Sequence, residues 1–161
     1  MNHICLPEHF KIVSATAGPV TTNGGVTFDV IDLENVHMVW IVASFHQAVA
    51  HATTIQPVTG ISIASCATSI TFSARWWKNV DISLTDTLVA QTAATSMACA
   101  ATAKNQLIVI QIDPADIVAQ SKTYKCLGGT IATSAQATNF VDVEYVLQTR
   151  YPQATPPAAI V

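Results

Sequence analysis

The sequence predicts an all-β fold, a single-domain β-sandwich or jelly roll that continues into an extended C-terminal arm. Short apolar runs recur along the 161 residues, and Gly, Pro, Asn, Asp or Ser separates most of them. About eight or nine strands at this spacing are typical of sandwiches and jelly rolls. Thr favours strands, and the small side chain of Ala allows sheets or subunits to approach closely; both are abundant throughout the chain. We therefore predict a sandwich domain over residues 1–149 and an arm over residues 150–161.

The first strands are predicted from alternation and from one long apolar run. In residues 26–31, Val26, Phe28 and Val30 lie on one face at a period of two, directly after the turn-forming sequence TTNGG. The run NVHMVWIVASF, residues 35–45, is longer and almost continuously apolar. Such a run is typical of a strand at the centre of a sheet that is buried on both sides.

The later strands are shorter and follow in order. They are expected in the runs TTIQPV, GISIAS, SITFSARWW, DTLVAQT, QLIVIQID, YKCLGGTIAT and FVDVEYVLQ. Residues 113–120 are an exception, because Asp113 can cap a short helix and Pro114 suits its first position. Residues 90–104 are ambiguous. Their alanines allow a helix, but their Thr and Ser content and the strand-like run that follows favour a hairpin partner strand.

Composition excludes two classes of partner. Charged residues make up 11% of the chain, and the formal net charge is −3. A nucleic-acid-binding protein normally presents clustered Lys and Arg, so we expect no direct nucleic-acid partner. The apolar runs are far shorter than the roughly 20 residues that cross a bilayer, and the N-terminus lacks the pattern of a secretory signal. We expect no membrane partner and folding in a cytoplasm.

No motif for catalysis or for metal binding stands out. His46 and His51 could meet across a bend, but the sequence announces no third ligand for a metal ion. Asp81 and Asp86 could pair as acid and base, yet aspartates between strands are usually solvated turn residues. We expect no enzymatic activity, no catalytic residues, no cofactor and no metal. The four cysteines are far apart in sequence and are interpreted as buried thiols: Cys5, Cys66, Cys99 and Cys126.

Two adjacent tryptophans, Trp76 and Trp77, are predicted as exposed aromatic contacts. Neighbouring side chains on a strand point to opposite faces, so at most one of the two can face the core. Together with Trp40, they would offer the stacking surfaces of a carbohydrate-binding module. That module is one alternative function.

The C-terminal segment RYPQATPPAAIV carries no side-chain charge after Arg150 and contains three prolines. Proline fixes its own φ and restricts the preceding residue, so an extended path is favoured and loses less entropy on docking. An unstructured chain end is the alternative interpretation. We predict a contact arm that lies over a neighbouring subunit. Its contact residues are Arg150, Tyr151, Pro152, Pro156, Pro157, Ile160 and Val161.

Four stretches of the chain resemble a known family. They are DVIDLENVHMVWIVASFHQ, SARWWKNVDISLTDTLVAQT, KNQLIVIQIDPADI and the ending LQTRYPQATPPAAIV, in which R-Y-x-Q-A-T-P-P-x-A-I is the most distinctive piece. The chain resembles small virion structural proteins of tailed bacteriophages, found among head proteins, from about Val26 to its end.

The resemblance implies a structural phage protein that is made in the cytoplasm of a bacterial host and resides in the virion head. By analogy with other small β-rich head proteins, we expect a capsid decoration or cement protein. Its expected partners are the major capsid protein and copies of itself, as a homo-dimer or trimer. Another structural station, in the tail tube, in head completion or in fibre attachment, is a second alternative.

Overall fold

In the computed structural model, which describes residues 9–151, the chain forms two antiparallel β-sheets that pack together. The predicted all-β sandwich is confirmed. Sheet A has the strand order β1-β13-β5-β11-β8-β9, with β2 beside β13, and sheet B has the order β10-β6-β12-β3, with β4 beside β12 and β7 beside β6. The strands are β1 (Phe10–Ser14), β2 (Val20–Thr21), β3 (Val26–Thr27), β4 (Ile31–Asp32), β5 (Val36–Gln47), β6 (Thr54–Gly60), β7 (Thr68–Ser69), β8 (Arg75–Asn79), β9 (Val89–Ala90), β10 (Met97–Ala98), β11 (Asn105–Ile112), β12 (Cys126–Ile131) and β13 (Asn139–Thr149).

The core lies between the two sheets and is built by alternation along the long strands. Every second residue of β11, of β13 and of β5 from Val39 onward is buried, as the period of two requires for residues that share one face of a strand. Tyr145 is fully buried among them, and its hydroxyl donates to the carbonyl oxygen of Asp29 at 3.0 Å. The largest members of the core include Phe45, Ile41, Ile55, Met97, Ile108, Ile110, Ile112, Leu127 and Tyr145.

Several predicted strands differ in the structure, among them SITFSARWW, which begins in β7 of sheet B and ends in β8 of sheet A. Residues 26–31 form two short strands, β3 and β4, because Phe28 turns into the core and its N–H donates to the Gly129 carbonyl at 2.8 Å. Both short strands pair with β12. The predicted strand GISIAS is wrong, since Ile63–Ser65 is a 3-10 turn. Ser62 closes this turn through its carbonyl and its hydroxyl, which contact the N–H and the hydroxyl of Ser65.

Residues 90–104 form neither a helix nor a hairpin with β11. β9 pairs with β8 in sheet A, whereas β10 pairs with β6 in sheet B, so the segment crosses between the sheets. The predicted pairing with β11 is therefore wrong. The physical reason is the burial of Met97 and Cys99, whose side chains anchor the crossing segment in the core.

The short helix predicted at residues 113–120 is confirmed as α1 (Pro114–Gln120). The Asp113 carboxylate accepts a hydrogen bond from the Ala115 N–H at 2.8 Å, which satisfies one of the N–H groups left free at a helix start. Pro114 occupies the first turn, and Ile117 packs into the core. The helix thereby covers one end of the sandwich, near the start of β5.

Candidate interaction surfaces

Sheet A exposes an apolar outer face. On β5 the residues Val39, Ile41 and Ala43 are buried between the sheets, while Trp40 and Val42 point the other way and are only half-buried. The sequence predicts that β5 is buried on both sides. β5 does lie inside sheet A, as predicted. Its burial on the outer side is not observed, because no layer among residues 9–151 covers that side of sheet A.

Cross-strand pairing joins the outward residues of five strands into one surface. Trp40 lies opposite Val146, which lies opposite Ile12, and Val42 lies opposite Val109, which lies opposite Trp77. Ile12 is 55% exposed, and the other five are half-buried. We call this set the outer apolar face; it consists of Ile12, Trp40, Val42, Trp77, Val109 and Val146. An antiparallel sheet that faces water normally carries polar residues on that side, so an apolar outer face indicates a contact surface.

Charges flank the outer apolar face asymmetrically. Asp142 and Glu144 lie on β13, on the same side of the sheet as Val146. Arg75 lies on β8, on the other side of the face, and its guanidinium carbon is 5.4 Å from the centre of the Trp77 ring. The acidic residues therefore lie on β13, with Glu144 directly opposite Val42 in the register, and the basic residue lies on β8, beyond β5 and β11.

The two predicted aromatic contacts have different environments. Trp76 is only 8% exposed, points into the core, and donates from Nε1 to the Thr92 carbonyl at 2.9 Å. The expectation that Trp76 is exposed is therefore wrong, because its strand partner Ile110 fixes it on the inner side of sheet A. Trp77 is half-buried on the outer apolar face, where its role as a contact stays a prediction.

A second exposed apolar surface lies at the β8–β9 edge of sheet A, and sequence reasoning missed it. We call residues 80–89 the edge loop. The signal was available in the alternation of Val80, Ile82 and Leu84 with polar residues. The exposed fractions of its large apolar side chains are 45% for Val80, 37% for Ile82, 81% for Leu84, 38% for Leu88 and 56% for Val89.

Asp81 holds the edge loop in place. The sequence predicts a solvated turn residue here, but the side chain of Asp81 is buried. Its carboxylate accepts hydrogen bonds from the N–H and hydroxyl of Ser83 and forms an ion pair with Lys104. The hydrogen bond from Lys104, followed by that from Ser83, lowers the pKa of Asp81 below its ordinary value. Asp81 is thus a structural anchor.

This ion pair predicts a loss of stability in acid. Because the pKa of Asp81 is lower in the folded chain than in the unfolded chain, ionised Asp81 stabilises the fold above about pH 4, and that contribution disappears as pH falls through the lowered folded value. Thermal unfolding between pH 6 and pH 2.5 should show a smaller decrease in Tm for Asp81→Asn than for the unsubstituted chain. The control is Asp86→Asn, in the same exposed loop. Equal decreases in all three proteins would contradict the assignment.

The root of the predicted arm is fixed to the sandwich. The N–H of Arg150 donates to the Asn35 carbonyl at 2.9 Å, and its Nε donates to the Val36 carbonyl at 3.3 Å. Tyr151 is 67% exposed. The other predicted arm residues lie outside the described residues, so the arm and the division at residue 149 stay predictions. These residues are Pro152, Pro156, Pro157, Ile160 and Val161.

The thiols and imidazoles of the described chain form no chemical centre. Cys99 and Cys126 are buried thiols, as predicted, while Cys66 is half-buried and Cys5 lies outside the described residues. Burial raises the pKa of Cys66, as does its neighbour Cys126, and burial also raises the pKa of Cys99. Within residues 9–151, no three His, Cys, Asp or Glu side chains are grouped so as to hold a metal ion.

Comparison with known proteins adds little to this picture. No protein-family model matches the chain, and no curated protein matches it. Among solved structures, the chain is similar to the crystal structure of the SPBc2 prophage-derived protein YomS, with a TM-score of 0.47 and 6% sequence identity, over 86% of this chain and 91% of that one. Across the part of the chain that the structure describes, no helix is long and apolar enough to cross a membrane.

Proposed function

We propose that this chain is a structural protein of a tailed-bacteriophage virion that decorates the capsid. In this role the protein performs no chemistry. It binds across the joints between major capsid subunits and adds buried contact area, which resists the pressure of the packaged DNA. Many copies multiply a modest interface. The phage origin rests on the four stretches of sequence that resemble head proteins.

The observation that carries an assembly role is the outer apolar face of sheet A. Its central strand has the sequence of a strand buried on both sides, and the described fold buries one side. Single exposed apolar residues are normal on a monomer, but six that adjoin one another on five paired strands mark an interaction site.

We assign this face to a second copy of the chain, because its central apolar strands can stack on those of a copy and because the charge of Arg75 on β8 is opposite to that of Glu144 on β13. A two-fold axis that runs along the strands in the plane of contact places β13 of one copy over β8 of the other. Arg75 of each copy then lies over Val146 of its partner, one cross-strand pair from Glu144, while Val42 of one copy meets Val109 of the other. An apolar centre with a charged rim is the usual anatomy of a protein interface.

We assign the edge loop and the arm as the contacts with the capsid. The edge loop presents five apolar side chains at the β8–β9 edge of sheet A, and the arm follows β13 in the chain from Arg150. An exposed strand edge and an extended segment are both suited to adding to a neighbour's sheet or lying along its surface.

Deletion of Tyr151–Val161 tests the arm. The truncated chain should keep its fold, because residues 9–150 contain both sheets and the core. It should bind capsids that lack the protein about 10-fold more weakly than the full chain, which corresponds to about 1.4 kcal/mol. The measurement is saturation binding to purified capsids, with circular dichroism as the check on folding. A truncated chain that saturates capsids with unchanged affinity would exclude a contact arm.

The carbohydrate-binding alternative is weakened by the burial of Trp76, which leaves Trp40 and Trp77 on strands separated by β11. Titration with a broad glycan panel, followed by tryptophan fluorescence, decides between the two functions. Quenching by simple sugars would favour a sugar-binding module, and the proposed function predicts no response.

A further inference from the structure

A cleft of about 610 Å³ opens between α1 and the turn from β4 to β5. It is distinct from the outer apolar face and from the edge loop, and it shares no lining residue with either. The residues that line it are Asp32, Leu33, Glu34, Pro114, Ala115, Val118, Tyr124, Lys125 and Arg150.

The cleft has apolar walls and a charged rim. Val118 on α1 is 48% exposed, although it lies beside the buried residues Leu33 and Pro114. Tyr124 is half-buried and contributes an aromatic ring. An aromatic side chain beside apolar walls is the kind of groove in which proline-rich extended segments dock.

The chain itself leaves the described structure at this cleft. Arg150 is both a lining residue and the last residue before Tyr151, and its two hydrogen bonds to Asn35 and Val36 fix it there. The ten residues that follow, 152–161, can reach at most about 33–36 Å when fully extended. The segment therefore begins at the edge of the cleft and is long enough to line it.

The chemistry of this segment matches the cleft. PQATPPAAIV carries no charged side chain, so docking brings no side-chain charge of the segment into the cleft. Proline fixes its own φ and restricts the preceding residue, which favours an extended path and lowers the entropy lost on docking. Because segment and cleft are joined at Arg150, the effective concentration of the segment is in the millimolar range, so a weak contact is sufficient.

We propose that the cleft between α1 and the β4–β5 turn binds residues 152–161 of the same chain. This inference does not rest on the proposed function, since cleft and segment belong to one molecule. Where both hold, the arm of a free subunit is docked on its own fold, and contact with a neighbour requires the arm to leave the cleft.

Backbone relaxation of the ¹⁵N-labelled full chain tests the proposal. In the unsubstituted protein, the amides of Ala158 and Ile160 should have order parameters of about 0.85, the value of a rigid backbone. In Val118→Arg, the long charged side chain blocks the cleft, and the same amides should fall below about 0.6. Val89→Arg, which places the same side chain at an exposed valine of the edge loop, should leave them unchanged.

Three outcomes would overturn the proposal. These are low order parameters at Ala158 and Ile160 in the unsubstituted chain, values that Val118→Arg leaves high, and order parameters at these two amides that rise with protein concentration. The third would assign the cleft to the arm of a second copy. If Val118→Arg fails to fold, Ala115→Arg blocks the same cleft from an exposed position. Capsid binding does not enter this experiment, so its result is independent of the proposed function.

Discussion

Val109→Lys should abolish the proposed self-association and leave the chain folded and monomeric. Val109 lies on β11, in the middle of the outer apolar face, between Val42 and Trp77. In a monomer, a lysine here can extend its charged end into water. In a face-to-face dimer, the charge is buried without a partner, which costs several kcal/mol. We expect the dimer Kd to rise at least about 100-fold, equivalent to about 2.7 kcal/mol.

Analytical ultracentrifugation over a range of concentrations measures this effect. The matched control is Thr130→Lys, which places the same charge at a half-buried position on β12 of sheet B. The control should keep the Kd of the unsubstituted chain. A protein that is monomeric before substitution, or a Val109→Lys variant that dimerises normally, would remove the outer apolar face as the self-association site.

Gly60→Ala should strongly destabilise the fold. A Cβ at this position would lie 2.2 Å from the carbonyl oxygen of Ser65 and 2.8 Å from the Cα of Cys66. Both are backbone atoms of the segment that ends the 3-10 turn, so no side-chain rotation relieves the overlap. We expect a loss of about 3 kcal/mol in the free energy of unfolding, the upper part of the range for overpacked sites.

Thermal unfolding measures this loss as a decrease in Tm of about 6–12 °C. Gly24→Ala is the matched control, because nothing lies within 4 Å of its added Cβ. It should leave Tm almost unchanged. Equal Tm values for both variants would contradict the close packing of the 3-10 turn against the end of β6.

The long elements of the fold could be predicted because their sequences repeat one signal over many residues. β5, β11 and β13 each alternate over eight or more residues, so their type and inward faces follow from the pattern. α1 was predicted from two residues alone, since Asp113 and Pro114 have specific roles at a helix start.

The short elements could not be predicted, because tertiary contacts decide them. GISIAS alternates like a strand, yet its serines close a turn against Gly60. Residues 90–104 cross between sheets because Met97 and Cys99 reach the core. Gln106, predicted within a strand, is fully buried in a polar cluster, where it donates to the side-chain oxygen of Gln47 at 2.6 Å. No local pattern announces such a partner.

The candidate surfaces, too, could be predicted only in part. The tryptophan pair could be predicted to face opposite ways, but the register with β11 decides that Trp76 is buried and Trp77 faces outward. The outer apolar face is formed by pairing between strands that are distant in sequence, so its extent appears only when the strands are assembled. The edge loop, by contrast, is continuous in sequence and could have been found from its alternation.

The copy number of this chain in the virion tests most directly whether it decorates a phage capsid, as proposed. Quantitative mass spectrometry of purified particles compares this 17.1 kDa chain with the major capsid protein. The proposed function predicts a ratio within a few-fold of one to one. A handful of copies per particle would assign the chain to the tail, the neck or the fibre attachment site, and its absence from the particle would contradict a virion role altogether.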